Sequence, residues 1–214
     1  MRDTNIVKKT NIQPRANTVR IIGGKYRGKK LSFPSSAGLR PTTDRIRETL
    51  FNWLMHDIRN ARCLDVFAGS GALGFEAYSR GAAKVVLIEK NTSVALNLQE
   101  IAASFATPQL TVINAPAIEW LRSQQHNNTD EPFDIVFIDP PFADLGLFEC
   151  IQLFEQSHVL KPGGLLYSES PHDLILSPVF WHLLKSKKAG QVTYALYQKK
   201  DAAVSSEPQE QTHK

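Results

Sequence analysis

The chain has 214 residues, 42% of them hydrophobic, and is long enough to bury one sizeable core. Its two cysteines, Cys63 and Cys150, have no Cys or His partner at ligand spacing, which excludes a disulfide framework and a zinc site, and no apolar run approaches the roughly 18 residues of a membrane span. The total charge is +4, yet residues 1–50 carry twelve Lys and Arg against three acids, a net of +9 that leaves −5 for the rest.

A basic arm on a mildly acidic body suits a polyanion, because neutralising phosphates releases counterions without any readout of sequence. A merely solubilising tail is the alternative. The polar start, with no apolar segment behind it, leads us to expect a protein that stays in the cytosol.

Residues 1–18 show no periodic pattern and are expected to be disordered. Val19-Arg20-Ile21-Ile22 and Lys25 to Leu31, separated by Gly23-Gly24, predict a basic β-hairpin. Ile46, Leu50, Trp53 and Leu54 then recur at helical spacing behind Thr42, Thr43 or Asp44, any of which can cap a helix. The domain division expected is thus 19–55 for the hairpin and helix, 56–200 for the main body and 201–214 for a disordered polar tail.

The body alternates apolar strands with helices, the pattern of a parallel sheet with crossover connections. Strands are expected at 62–67, 84–89, 110–114, 133–139 and 164–168, with helices at 71–80, ending at Gly81, and at about 92–105. Residues 181–185 and 191–198, around Ala189-Gly190, read as an antiparallel pair closing the sheet.

Between the first body strand and its helix, Gly69, Gly71 and Gly74 spell G-x-G-x-x-G, with Glu89 closing the next strand where a ribose-binding acid belongs. A dinucleotide site is one reading. Asp65, just ahead of the glycines, opposes it, since a pyrophosphate would meet an extra carboxylate there while a ligand with an amino group and a sulfonium would be attracted. A plain strand-to-helix turn, with Asp65 capping backbone amides, is the other reading.

The strand at 133–138 runs into Asp139-Pro140-Pro141-Phe142, which in a doubly wound sheet opens onto the same crevice as the glycine loop. An amine conjugated to a nucleobase is a poor nucleophile, because its lone pair is delocalised into the ring. The Asp139 carboxylate and the Pro140 carbonyl could each accept an amino hydrogen and aim that pair at a methyl donor, with Phe142 stacking on the base. A turn that simply ends a strand would use similar residues. Neither cysteine sits in a nucleophile motif, so direct transfer to nitrogen without a metal is expected. The six histidines lie outside the motifs, and Phe51 and Trp53 are expected in the core.

Together the segments V-R-I-I-G-G-K-Y-R-G-K-K-L (19–31), L-R-P-T-T-D-R-I-R-E-T-L-F-N-W-L (39–54), L-D-V-F-A-G-S-G-A-L-G-F-E-A (64–77) and Asp139 to Phe142 resemble the RsmD family of bacterial ribosomal RNA guanine-2-amino methyltransferases. The resemblance implies a Rossmann-like class I methyltransferase: an α/β fold with a seven-stranded, mostly parallel sheet, helices on both faces and a small N-terminal basic hairpin. It implies S-adenosylmethionine as cofactor, held by Asp65, Phe67, Ala68, Gly69, Ser70, Gly71, Glu89, Lys90, Asn114 and Ala115. Asp139, Pro140, Pro141 and Phe142 would take a flipped guanine.

Arg20, Lys25, Arg27, Lys29, Lys30, Arg40, Thr42, Arg45 and Arg47 would meet 16S ribosomal RNA, free or in a small-subunit particle. Where related enzymes place Asp or Asn for the adenine amino group, this chain has Pro116, which moves that role to Asn114, the Ala117 amide or packing. The chain is expected to be monomeric. An adenine-amino or protein-glutamine methyltransferase and a non-catalytic RNA-binding module are the alternatives.

Overall fold

The computed structural model describes residues 17–33, 42–125, 131–140 and 146–201. A two-stranded antiparallel hairpin, β1 (Asn17–Arg20) and β2 (Lys30–Phe33), precedes helix α1 (Asp44–Trp53). The body follows as β3 (Arg62–Asp65), α2 (Ala72–Ser79), β4 (Lys84–Glu89), α3 (Thr92–Ala103), β5 (Leu110–Asn114), α4 (Ala117–Gln124), β6 (Phe133–Ile138), α5 (Leu147–Gln156), β7 (Leu160–Ser170), β8 (Trp181–Ala189) and β9 (Val192–Lys199).

The large sheet has the order β5-β4-β3-β6-β7-β9-β8, parallel except for β9, which is antiparallel to both β7 and β8. After β3 the chain builds outward through β4 and β5, then returns to the other side of β3 with β6. The order therefore reverses at β3/β6, which opens a crevice beyond the carboxyl ends of those strands.

Alternation along each strand feeds two cores, one per sheet face. On one face Val19, Leu31, Leu50, Phe51, Phe75 and Leu98, from the hairpin and α1 to α3, pack against Val85, Leu87, Phe137 and Tyr167. On the other, Leu121, Ile151 and Phe154 of α4 and α5 pack against Val86, Val136, Leu166 and Tyr197. Phe51 is fully buried, and the half-buried Trp53 stacks on Tyr194, so both belong to the packing. Thr43 caps α1 by accepting from the Ile46 amide.

The hairpin is present, but its first strand is shifted to 17–20, its second is shortened and shifted to 30–33, and residues 21–29 form a folded connection between them. The reason is that its backbone donors go elsewhere. The Ile22 and Gly23 amides each donate to Glu76 at 2.8 Å, and the Lys25 amide donates to the Ser79 carbonyl at 2.7 Å. Tyr26 packs its ring against Tyr78 and Phe105. The connection is clamped to α2 and α3, and Gly24 (φ +76°) permits the close approach, since a Cβ there would fall 1.9 Å from the Ser79 carbonyl oxygen.

Candidate active site

The residues after β3 turn sharply into α2, with Gly69 (φ 50°) and Gly71 (φ 73°) in the left-handed region. A Cβ at Gly71 would lie 2.4 Å from the Phe75 ring, so both conformation and space demand glycine there. Gly74 lets α2 sit against β4, where an added Cβ would meet Leu87 at 2.9 Å.

Asp65 ends β3 and is 2% exposed, its Oδ2 accepting from the Gly74 amide at 3.0 Å. Burial pushes its carboxyl up to about 7, with the nearby Glu89 charge adding to the rise and the Gly74 and Phe67 amides opposing it. The side chain thus braces the turn from beneath. It is also a buried carboxyl with no cation in any ion pair among the described residues.

Glu89 closes β4 and faces the loop from the side. Its Oε2 accepts from the Gly69 amide at 3.0 Å and its Oε1 from the Asn91 amide at 2.8 Å, while the residue stays half-exposed. Two further lone pairs remain for hydroxyl donors. Phe67 is half-buried, Ala68 and Ser70 are buried, and Lys90 is exposed.

The Asn114 side-chain amide donates to the carbonyls of Glu89 (2.8 Å) and Lys90 (3.2 Å), tying the end of β5 to β4, and the Ala115 amide adds a bond to Glu89. Pro116 stands at the N-cap of α4 and accepts from the Trp120 amide, while Ala117 is buried. Asn114 therefore offers a ligand its carbonyl oxygen, since its NH₂ is already engaged.

Asp139 follows β6. Its Oδ2 accepts from the Thr42 hydroxyl at 3.1 Å, so the segment leading into α1 braces the Asp139 carboxyl. Asp139 lies two residues beyond Phe137, on the sheet face shared with Tyr167, and Ile138 pairs with Ser168. Glu169 is therefore its lateral neighbour on β7, roughly one strand spacing of about 4.8 Å away.

Glu169 is 8% exposed and its Oε1 accepts from the Tyr167 hydroxyl at 2.8 Å. The Asp139 carboxyl is held well above the usual range, first by desolvation and then by the Glu169 charge, with the Thr42 hydroxyl opposing both. Glu169 is likewise raised by burial, against hydrogen bonds from Tyr167 and Thr42. Pro140 is half-buried, and Pro141, Phe142 and Arg40 lie outside the described residues.

The basic residues divide into three groups. Arg47 is corrected: it is fully buried, with Nη2 donating to the Arg20 carbonyl at 2.9 Å and to Asp44 at 2.6 Å and Nη1 3.6 Å from Glu76. It therefore cannot reach RNA phosphates. Thr42 is buried and donates to Asp139, which puts it beside that carboxylate.

Lys25, Arg27 and Lys29 belong to the connection docked at the carboxyl ends of α2 and α3, with the Lys29 ammonium 4.0 Å over the Phe105 ring. Since α2 starts at the crevice and its eight residues span about 12 Å, these cations, together with neighbouring Lys30, flank the opposite end of the sheet. Arg20, 3.8 Å from Asp44, and exposed Arg45 in the first turn of α1 stand near the crevice.

The sequence reading missed Glu169, which falls one residue past the strand it expected, and the basic edge strand. Lys185, Lys187 and Lys188 of β8 are exposed and form no ion pair among the described residues. Tyr194 pairs with Glu169 on one side and Lys187 on the other, so these lysines reach the same level of the sheet as the carboxylates. Among the described residues no group of His, Cys, Asp and Glu is arranged to hold a metal ion, and no helix is long and apolar enough to cross a membrane.

Residues 19–198 match the family model described as Conserved hypothetical protein 95. The chain is 48% identical over 183 residues to the Escherichia coli (strain K12) protein named Ribosomal RNA small subunit methyltransferase D, covering 85% of this chain and 90% of that one. A Haemophilus influenzae protein of the same name is 45% identical over 197 residues, covering 90% and 100%.

A solved Escherichia coli structure, a candidate methyltransferase designated yhhF, superimposes with a TM-score of 0.77 at 46% identity, covering 86% of this chain and 99% of that chain. More distantly, at 24% identity and a TM-score of 0.60, the fold is that of a Thermus thermophilus 16S rRNA N2 methyltransferase (RsmC) in complex with AdoMet and guanosine, covering 87% of this chain and 50% of that chain. The expected fold, a Rossmann-like methyltransferase with an N-terminal hairpin, is the one observed.

Proposed function

The chain belongs to the RsmD family, the family described as Conserved hypothetical protein 95, and from that membership and the geometry of the crevice we propose that it transfers a methyl group from S-adenosylmethionine to the exocyclic 2-amino group of a guanine in 16S ribosomal RNA. The observation that carries this reading is Asp139. It is a partly buried carboxylate at the end of β6, braced by Thr42, in the same crevice as the glycine loop and Glu89.

The residues around the loop fit the cofactor. Asp65 and Glu89 are carboxyls in no ion pair among the described residues, and an approaching ammonium or sulfonium would favour the ionised form of the buried Asp65. Glu89 has acceptor capacity for both ribose hydroxyls, and the glycine turn admits close approach of a ligand to the backbone. When bound, S-adenosylmethionine supplies an electrophilic methyl group. Asn114 and Ala115 border the same rim through their bonds to Glu89 and Lys90.

The chain's own residues then act on the amine. Asp139 accepts one amino hydrogen and the Pro140 carbonyl the other, which localises the nitrogen lone pair and directs it toward the methyl; stacking on the base is the role assigned to Phe142 by its place in the motif. The surplus amino proton would leave by way of the Asp139 carboxylate as the amine is methylated. A guanine in a loop or single strand reaches this pocket without a duplex to open. Arg20 and Arg45 on one side and the β8 lysines on the other provide phosphate contacts flanking the crevice. We assign the protein to the cytoplasm and, without a sustained heptad pattern, to a monomer.

Asp139→Ala should lower methyl transfer by at least about 100-fold while cofactor affinity changes less than threefold. Full transfer by that variant would overturn the role of Asp139. Labelled-methyl incorporation into RNA, DNA and protein tests the wider reading, because label in DNA or protein alone would replace the RNA assignment. Mass mapping of ribosomal RNA from cells lacking the protein should show the loss of one N2-methylguanosine.

A further inference from the structure

Asp139 and Glu169 are two carboxylates at adjacent strand ends, on one face of the sheet, and neither belongs to an ion pair among the described residues. Thr42 donates to the first and Tyr167 to the second, and both donors are themselves buried, so each carboxylate is oriented from behind while its remaining acceptor sites are left for the pocket. Two adjacent carboxylates without a cation, Glu169 buried and Asp139 partly so, are costly when ionised and become favourable when a ligand brings donors to both. A single amino group gives Asp139 its partner. It leaves Glu169 without one.

Resting on the guanine reading above, we propose that Glu169 is a recognition residue of the substrate pocket, accepting a hydrogen bond from the ring N1–H of the guanine whose 2-amino group Asp139 holds. Among the standard bases only guanine carries an N–H directly beside its exocyclic amine. Adenine and cytosine present a ring-nitrogen lone pair in that place, which would point at the Glu169 carboxylate and be repelled. The same pair of acids that holds the amine thereby selects the base, because the wrong one sets two hydrogen-bond acceptors against each other and leaves Glu169 without a donor. The hydrogen bond involves no proton transfer, so the methyl-transfer chemistry remains with Asp139. Tyr167 is a positioning residue for Glu169.

The test replaces the target guanine, once mass mapping has located it, with 2-aminopurine in a ligated RNA. That base keeps the 2-amino group but has a lone pair at N1 and lacks the 6-oxygen. The native enzyme should prefer guanine by roughly 100-fold or more in kcat/KM. Glu169→Gln can present its NH₂ to the N1 lone pair, so it should lose activity on guanine, gain on 2-aminopurine and narrow the preference by at least about tenfold. Losing the 6-oxygen affects both enzymes alike and cancels in that comparison.

Melting temperature and cofactor affinity are measured alongside. If Glu169→Gln does not fold, Tyr167→Phe carries the same comparison and should narrow the preference to a smaller extent. An unchanged preference in a folded variant overturns the proposal. Failure of the native enzyme to methylate any guanine would instead overturn the guanine reading itself, so the two failures are distinguishable.

Discussion

Asp65 offers a test in which stability and binding move in opposite directions. Its carboxyl is 2% exposed and pushed up to about 7, from an ordinary 3.8. Between those values the unfolded chain has released its proton while the folded protein keeps it, so rising pH favours unfolding. Below the window both states are neutral, and above it both are charged and the penalty is constant. At roughly 1.36 kcal/mol per pH unit the full penalty is about 4 kcal/mol.

Asp65→Asn retains an oxygen for the Gly74 amide and removes the titration. In urea unfolding at pH 4 and pH 8, the stability of the variant relative to native should therefore improve by up to about 4 kcal/mol on going to the higher pH. Saturating S-adenosylmethionine should reverse the benefit at pH 8, because its positive charge compensates the ionised Asp65 and has no counterpart in the variant. Below pH 7, binding to the native protein should release a proton. Relative stabilities at the two pH values that agree within about 1 kcal/mol, or equal cofactor affinity in both proteins, would refute the account.

Two further perturbations probe the surroundings of the site. Glu76 is fully buried and accepts from the Ile22 and Gly23 amides and from Arg80 at 2.7 Å, with the equally buried Arg47 at 3.6 Å. Glu76→Gln should cost about 3–5 kcal/mol in urea unfolding and expose residues 21–29 to limited proteolysis, because a buried guanidinium loses its nearest buried counter-charge. For RNA, replacing Lys185, Lys187 and Lys188 with Glu should flatten the plot of log affinity against log salt by about 2, near 0.7–0.9 for each phosphate no longer neutralised. Lys25→Glu with Arg27→Glu should change that slope less, and a larger effect from the latter pair would mean that RNA runs past the far end of the sheet.

The alternation of apolar strands and helices, the cap on α1 and the conformation of the glycine turn follow from local rules, and all are visible in the chain as written. The end of the sheet to which the hairpin connection docks is not local. It depends on Ser79, Glu76 and Phe105 meeting residues more than fifty positions earlier, and no periodicity reports such a contact. Arg47 was decipherable: it precedes Leu50, Phe51 and Leu54 by three, four and seven residues, which places it on their buried face, although its chemistry suggested the surface.

Charge counting consequently overstates what a basic arm can offer a polyanion at the site. Of the cations between β1 and α1 that the structure describes, one is buried against Glu76 and four gather around the connection at the far end, leaving Arg20 and Arg45 near the crevice. The strand β8, outside that arm and in the half of the chain with net negative charge, contributes three lysines at the level of Asp139 and Glu169. Glu169 was hidden in a similar way. Leu165, Tyr167 and Glu169 share one face of β7 by the two-residue period, so an acid continues an apolar row into the crevice, and only the pairing of β7 with β6 gives it Asp139 as a neighbour.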